Sequence, residues 1–345
     1  MSGAAPTTTA SPRLRLREEP EDFVVDEIAA YAPTGEGEHT FVRVEKRLRT
    51  TEEVARDLAR AAGVRPRDVG YAGRKDRRAV TRQWFSVPGL DPDAARGLEL
   101  REAHVLEAAR HPHKLRTGHL RGNRFEIAVR GVDVETAGSA EARLETLRRC
   151  GFPNRYGHQR FGARGDNAER ARALLLGGSA GADRRAARFL LSALQAEAFN
   201  HVLRDRPIAI DRVASGDLAM VHVSGGIFEV EDEERENERA AAFEISATGP
   251  IFGTRMREPS GPAGRRERAV LDALGIPAAS ALRAPPGVRL RGTRRSLRAR
   301  VEALSFRAEG DALHLRFTLG AGCYASVFLE ELLGESVEGG AVPVR

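Results

Sequence analysis

Two stretches far apart in the chain carry the same two-residue alternation. From Asn123 to Arg130, Phe125, Ile127 and Val129 fall on one face and Arg124, Glu126 and Arg130 on the other; near the end, Leu313, Leu315, Phe317 and Leu319 alternate with polar residues. That period belongs to a strand with one buried face. The second strand and the short apolar helix after it, Ala325 to Leu333, are too small to bury their faces alone. They are expected to complete a sheet begun in the N-terminal half, which makes what lies between them an insertion. The expected organisation is a disordered tail over residues 1–12, a discontinuous domain of 13–150 with 299–345, and an inserted α/β domain over 151–298.

Other elements fit a mixed α and β chain. Phe23 to Asp26, Thr40 to Glu45, Val69 to Ala72 and Gln83 to Val87 read as strands, and a helix opens at the Thr50/Glu53 capping box and stops at Gly63. In the middle, Arg184 to Leu203 is an amphipathic helix, followed by strands at Ala219 to Val223 and Ile227 to Val230. An acidic stretch, a Gly/Pro-rich segment around Thr248 to Gly264 and a helix from about Arg265 to Leu274 come next. Apolar runs such as Ala325 to Leu329 are far too short to cross a bilayer, so no membrane role is expected. The 2 cysteines, Cys150 and Cys323, lie in no metal-binding pattern, which excludes a disulfide framework and fits a reducing cytoplasm.

The net charge of +6 points to an acidic partner. Three basic segments hold the excess: Arg74 to Arg82, Arg110 to Arg124 with His111, His113 and His119 among the cations, and Arg289 to Arg300. Tyr71, Trp84, Phe85 and Phe125 lie beside the first two, and cations for phosphate next to flat rings for bases is the composition of a nucleic-acid groove. A solvated basic face is the plainer alternative. Within the first segment a single carboxylate, Asp76, stands among Arg74, Lys75, Arg77, Arg78 and Arg82 on a loop between two strands. Such a setting holds the charged carboxylate that a nucleophile needs. The residues alone leave it open whether Asp76 is that nucleophile or an aspartate capping a turn or pairing with arginine.

The loop Gly73-Arg74-Lys75-Asp76-Arg77-Arg78-Ala79-Val80-Thr81-Arg82-Gln83 resembles the signature loop of the TruD family of tRNA pseudouridine synthases, Gly-x-Lys-Asp-x-x-Ala-Val-Thr-x-Gln. Further segments match in family order: Pro20 to Val25, Gly35 to His39, His111 to Arg116, Gly122 to Phe125, Pro153 to Gly162 and Ala321 to Ser326. The resemblance implies a pseudouridine-synthase-like α+β fold, with a central mixed, mainly antiparallel sheet, flanking helices and an inserted TRUD-type domain. It implies conversion of uridine-13 in the D arm of tRNA, with Asp76 as the catalytic aspartate and no cofactor or metal. Asn123 and Phe125 match residues that contact the target nucleotide, Phe125 by stacking on the uracil; on residue pattern alone the ring could equally be core. Phe23 and Tyr324 correspond to two further aromatics of the site; Lys75, the lysine of the loop, and Arg17, which lies where the family carries a basic partner for the aspartate, are expected with them among the substrate-binding residues.

Two other classes compete. One is an RNA-binding protein in which Asp76 only braces its loop. The other is an N-glycosidase or nuclease, which would need a second carboxylate or a metal cluster. Asp22, Asp26 and Glu27 are the nearest candidates, and Asp22 and Asp26 read more simply as surface residues flanking a strand. His111-Pro112-His113 offers two histidines without a third ligand, which suits phosphate contacts. Nothing in the sequence calls for a protein partner besides the RNA.

Overall fold

The computed structural model describes residues 14–162, 166–175, 183–283 and 285–334, and the backbone of 338–339; the tail expected over 1–12 lies outside them. In chain order the first half forms β1 (Arg15–Leu16), β2 (Phe23–Ala29), β3 (His39–Arg47), α1 (Thr51–Ala61), β4 (Gly70–Tyr71), β5 (Val80–Pro88), α2 (Pro92–Arg96), β6 (Ala103–His111), β7 (Leu120–Arg130) and α3 (Val134–Cys150). Next come β8 (Phe152–Pro153), α4 (Asn167–Leu175), α5 (Arg184–Arg204), β9 (Leu218–Val221), β10 (Ile227–Glu229), α6 (Glu233–Ala241), β11 (Ile245–Ile251), α7 (Gly261–Ala273), β12 (Thr293–Ser296) and β13 (Arg298–Ala299). The chain ends in β14 (Val301–Glu309), β15 (Ala312–Gly320), α8 (Ala325–Leu333) and β16 (Glu338–Gly339). The class is α+β. The described residues form two compact units, one of 14–143, 302–322, 333–334 and 338–339, the other of the described residues within 144–301 together with 323–332.

The first unit is built on a 10-stranded sheet whose main path runs β14-β15-β7-β2-β5-β3-β6. Pairings are antiparallel except where β2 lies parallel to β5 and β1 to β16. The two alternating stretches of the sequence meet here, because β15 pairs with β7 from Ala312 opposite Arg130 to Gly320 opposite Gly122. Helix α1 covers the β3/β5 side. Its capping box is made, with Thr50 accepting from the Glu53 amide and Glu53 reaching back to the Thr50 amide. Its Val54, Leu58 and Ala59 pack on Val42, Val44 and Phe85 of the sheet. Burying each large apolar side chain of that layer contributes about 1.5–3 kcal/mol; loss of the Thr50 cap would cost about 1 kcal/mol.

In the second unit, the sheet β10-β9-β11-β12 packs on α5 through Phe199, Leu203, Ala219, Ile245, Ala247 and Leu297. The other side of α5 meets α4 and α7 through Leu190, Leu191, Leu194, Ala171 and Leu271. Strand β11 occupies what the sequence presents as the start of a Gly/Pro-rich segment. It pairs antiparallel with β9 and β12, and Gly249 stands in it because a Cβ there would come within 2.9 Å of Leu297 and 3.0 Å of the Phe199 ring. The acidic stretch is helix α6, capped by Asp232 and carrying Glu233, Glu234 and Glu236 in its first turn, where the helix dipole favours negative charge.

Candidate active site

Strand register decides which side chains share a face, since directly paired residues point the same way. Phe23 pairs with Ile127, Val25 with Phe125 and Glu27 with Asn123 across β2/β7. Phe125 pairs in turn with Phe317 of β15. On the other side Val25 lies beside Thr81, Gln83 beside Val44 and Thr81 beside Lys46. One face of the sheet therefore carries Phe23, Phe125, Asn123, Glu27, Gln83 and Lys46 together. The opposite face carries exposed and half-buried charge, including Arg43 on both oxygens of Asp26, Arg82 on Glu45 and Arg316 on Glu126.

The loop between β4 and β5 lies at the edge of the first face. Its entry is fixed by Gly70, where a Cβ would sit 2.3 Å from the Leu115 carbonyl and 2.5 Å from Ser86 Oγ. Gln83 Nε2 donates to the Gly73 carbonyl (3.2 Å), and Thr51 Oγ1 both donates to Gln83 Oε1 (2.8 Å) and accepts from the Lys75 amide (2.9 Å). The Lys75 ammonium donates to Glu27, with both side chains buried. A charge pair this dry is tolerated only when both partners are present. Asp76 follows with its side chain half exposed, 51%. Arg17 Nη2 donates to its Oδ2 at 2.8 Å. The Arg17 guanidinium also lies 4.0 Å from the centroid of the Phe23 ring. Arg17 reaches both contacts from a left-handed backbone (φ 61°), a conformation that costs a non-glycine residue about 1–3 kcal/mol.

Phe125 is 7% exposed, stacked on Phe317 at 5.2 Å and 22° and touched edge-on by Phe23 at 6.2 Å. The amide oxygen of Asn123 is buried with no partner among the described residues, an acceptor left open on the same face. Of the residues singled out from sequence, Arg17, Phe23, Lys75, Asp76, Asn123 and Phe125 are thus gathered in the first unit. Tyr324 belongs to the second, where it meets Tyr156 edge-on at 5.9 Å and burial pushes its phenol up. The described residues contain no group of three or more His, Cys, Asp or Glu placed to hold a metal ion, and no helix among them is long and apolar enough to cross a membrane.

The sequence reading passed over Lys46, Glu27 and Thr51 as parts of this arrangement. Lys46 is 1% exposed, and its Nζ donates to the main-chain oxygens of Asp76 (2.8 Å) and Arg49 (2.6 Å). A signal existed: in β3 the inward positions are Thr40, Val42 and Val44, and Lys46 occupies the next one.

Several expectations are corrected. Asp22 is not a surface residue but 3% exposed, held by Arg130 Nη2 at 2.7 Å and Nε at 3.1 Å. Asp26 is mostly buried too, on Arg43. His111 does not offer itself to phosphate: it is 7% exposed, 4.3 Å from the Phe41 ring and stacked on Tyr31 at 5.1 Å, and burial pushes its imidazole down. In the third basic segment, Arg294 is a buried bidentate partner of Glu267 (2.7 and 2.8 Å). Arg298 is also buried, 3.9 Å from the Phe243 ring and bonded to the carbonyls of Cys150, Ala240 and Ile245. Its neighbours differ. Arg289 and Arg291 are exposed and, with Arg188 of α5, line a pocket of about 200 Å³ that has no carboxylate in its wall.

A family description of tRNA pseudouridine synthase D (TruD) matches residues 6–185 and 181–332. A tRNA pseudouridine synthase D from Anaeromyxobacter dehalogenans (strain 2CP-1) is 46% identical over 92% of each chain. Those of Thermus thermophilus and Geobacter metallireducens are 43% and 39% identical over 92% of this chain, and the matches cover 88% and 94% of their own lengths. A crystal structure from Methanosarcina mazei, described as a tRNA pseudouridine synthase D, superposes with a TM-score of 0.76 over 95% of both chains at 24% identity, which shows a shared fold.

Proposed function

From the premise that this chain belongs to the TruD family of tRNA pseudouridine synthases, we propose that it isomerises uridine-13 in the D arm of tRNA to pseudouridine, with Asp76 as the catalytic carboxylate and without a cofactor. The observation that carries the proposal is the half-exposed Asp76 carboxylate, held by Arg17 at the edge of the face that bears Phe23, Phe125 and Asn123.

The chemistry asks little more of the protein. The bond from N1 of uracil to C1′ of the ribose breaks, the base turns, a bond from C5 to C1′ forms, and the C5 proton is lost while N1 gains one. Nothing is oxidised and no group leaves, so an anionic oxygen and a pocket that keeps the base in place suffice. A base inside folded RNA has to be rotated out first, and aromatic rings and an open acceptor such as Asn123 Oδ1 are what receive an extruded base. Phe23, Asn123 and Phe125 are assigned to that pocket and Arg17 to the carboxylate. Lys75, expected at the substrate, is assigned instead to holding the loop against β2 through its buried pair with Glu27. Tyr324 is assigned to the nucleotide by the family resemblance of Ala321 to Ser326.

Affinity for tRNA is assigned to unpaired cations. In the second unit these include Arg188, Arg289 and Arg291, which have no carboxylate partner among the described residues, and not Arg294 and Arg298, whose charges are held inside the protein.

Asp76→Asn tests the core of the proposal. Asparagine keeps the shape but loses the charge and the nucleophile. Conversion in single turnover, with enzyme in excess, is expected to fall to background while tRNA affinity holds or rises. A variant verified free of deamidation that still converts tRNA would end the case for Asp76, and a loss of folding or binding in step with conversion would favour a structural aspartate.

A further inference from the structure

Lys46 is an unusual residue to bury. A lysine ammonium taken out of water is costly, and burial pushes this one down from 10.5 to about 8. A methionine would fill the same space without that cost. What the lysine supplies instead is a pair of donors aimed at two carbonyls from different segments, Arg49 in the turn before α1 and Asp76 in the loop. Among the described residues, this is the one hydrogen bond recorded to the main chain of Asp76. Gly73, Lys75 and Arg77 are each held separately, by Gln83, by Thr51 and Glu27, and by the Leu48 carbonyl. Removing the ammonium would therefore leave the loop's frame standing and release the main chain of Asp76, with its carboxylate held by Arg17 alone.

We propose that Lys46 is the positioning residue of the reaction: by holding the main-chain oxygen of Asp76 from beneath, it fixes where the Asp76 carboxylate stands relative to the ribose and base. This rests on the reading of Asp76 as the catalytic carboxylate. Lys46 touches neither substrate nor reacting atoms and acts only through Asp76. The groups that face it are Asp76 and Lys75 from the loop and Glu52 and Glu53 from the first turn of α1. Its register partners Thr81 on β5 and Ala103 on β6 do not titrate. A charged donor makes bonds roughly twice as strong as a neutral one. Loss of the Lys46 proton thus slackens the hold on Asp76, and the chemical step slows as pH rises past neutrality.

The test compares full-length wild type, Lys46→Met, Lys46→Arg and Asp76→Asn, each titrated with tRNA and assayed in single turnover from pH 6.5 to 9. Lys46→Met is expected to bind tRNA within about twofold of wild type and to convert it at least tenfold more slowly at pH 7. Wild type is expected to lose rate above pH 8, and Lys46→Met to show no such decline. Lys46→Arg, whose guanidinium stays charged throughout, is expected to recover part of the rate and also lack the decline. Should Lys46→Arg not fold, the flat profile of Lys46→Met carries the same decision. A Lys46→Met enzyme at wild-type rate, or one that keeps the wild-type decline, overturns the proposal while Asp76→Asn remains inactive and the proposed function stands. An active Asp76→Asn overturns that function instead.

Discussion

Phe125 is assigned to stacking on the target base, yet its ring is 7% exposed, with Phe317 on one face and the Phe23 edge against it. Replacing it with alanine therefore removes two things at once. A buried Phe→Ala truncation in such a cluster costs about 3–5 kcal/mol, including the cavity it leaves. That is a large share of the roughly 5–15 kcal/mol that holds a domain together. An alanine variant cannot separate stacking from folding. Phe125→Leu can, because leucine keeps most of the volume. Its cost is expected to be about 1–2 kcal/mol, a repacking penalty plus loss of the aromatic pair with Phe317. What leucine lacks is a π face. If the ring supports the extruded uracil, the loss is about 1–3 kcal/mol of stacking, or roughly 5- to 150-fold in the conversion rate at subsaturating enzyme. Phe125→Tyr, which retains the face, should stay near wild type in rate. Urea unfolding gives the stability difference, and single-turnover conversion of a tRNA transcript gives the rate. A leucine variant with wild-type kinetics would refute the stacking assignment. An alanine variant whose unfolding free energy changes by less than about 1 kcal/mol would refute the packing estimate.

The paired and unpaired arginines of the second unit should separate cleanly. Arg188→Ala with Arg289→Ala and Arg291→Ala should weaken tRNA binding and flatten its dependence on salt, with little change in melting; Arg294→Ala should instead destabilise by about 3–5 kcal/mol, because it strands Glu267 in the interior. An unchanged salt slope in the triple variant would remove that pocket from the footprint. A fragment ending at Cys150 should be insoluble, since β7 would lose β15 and Phe125 would lose Phe317; a compact fragment with a cooperative melt would contradict this. Lys46 also gives stability a pH dependence opposite in sign to the rate. Between about 8 and 10.5 the unfolded chain binds more protons at this residue than the folded one. Its cost to the fold is therefore present below pH 8 and fades as pH rises to 10.5, which a comparison of unfolding free energies of wild type and Lys46→Met across that range would detect.

The sequence by itself determined strands such as β7 and β15, because each has one buried face and a two-residue period writes that face into the chain; β6 and β14, mostly exposed edge strands without that alternation, were not legible in it. It also determined helix α1, through a capping box that works locally, and the TruD loop, whose Gly, Lys, Asp and Gln sit at fixed spacing for bonds made largely within and beside the loop. Strand β11 escaped notice because Gly249 and Pro250 are poor strand formers by propensity, and only the close approach of Phe199 and Leu297 demands the glycine. The fate of individual charges was decided by tertiary structure alone. Arg289, Arg291, Arg294 and Arg298 look alike along the chain, but two are exposed beside Arg188 and two are buried on Glu267 and on main-chain carbonyls. Asp22, Glu27 and Lys46 likewise read as ordinary polar positions, and are buried because a partner distant in sequence, Arg130, Lys75 or the Asp76 carbonyl, waits for each. Whether a charge faces water or the interior depends on what the rest of the chain brings opposite to it. Local periodicity carries no record of that pairing, which only the sheet register and the helix packed upon it supply.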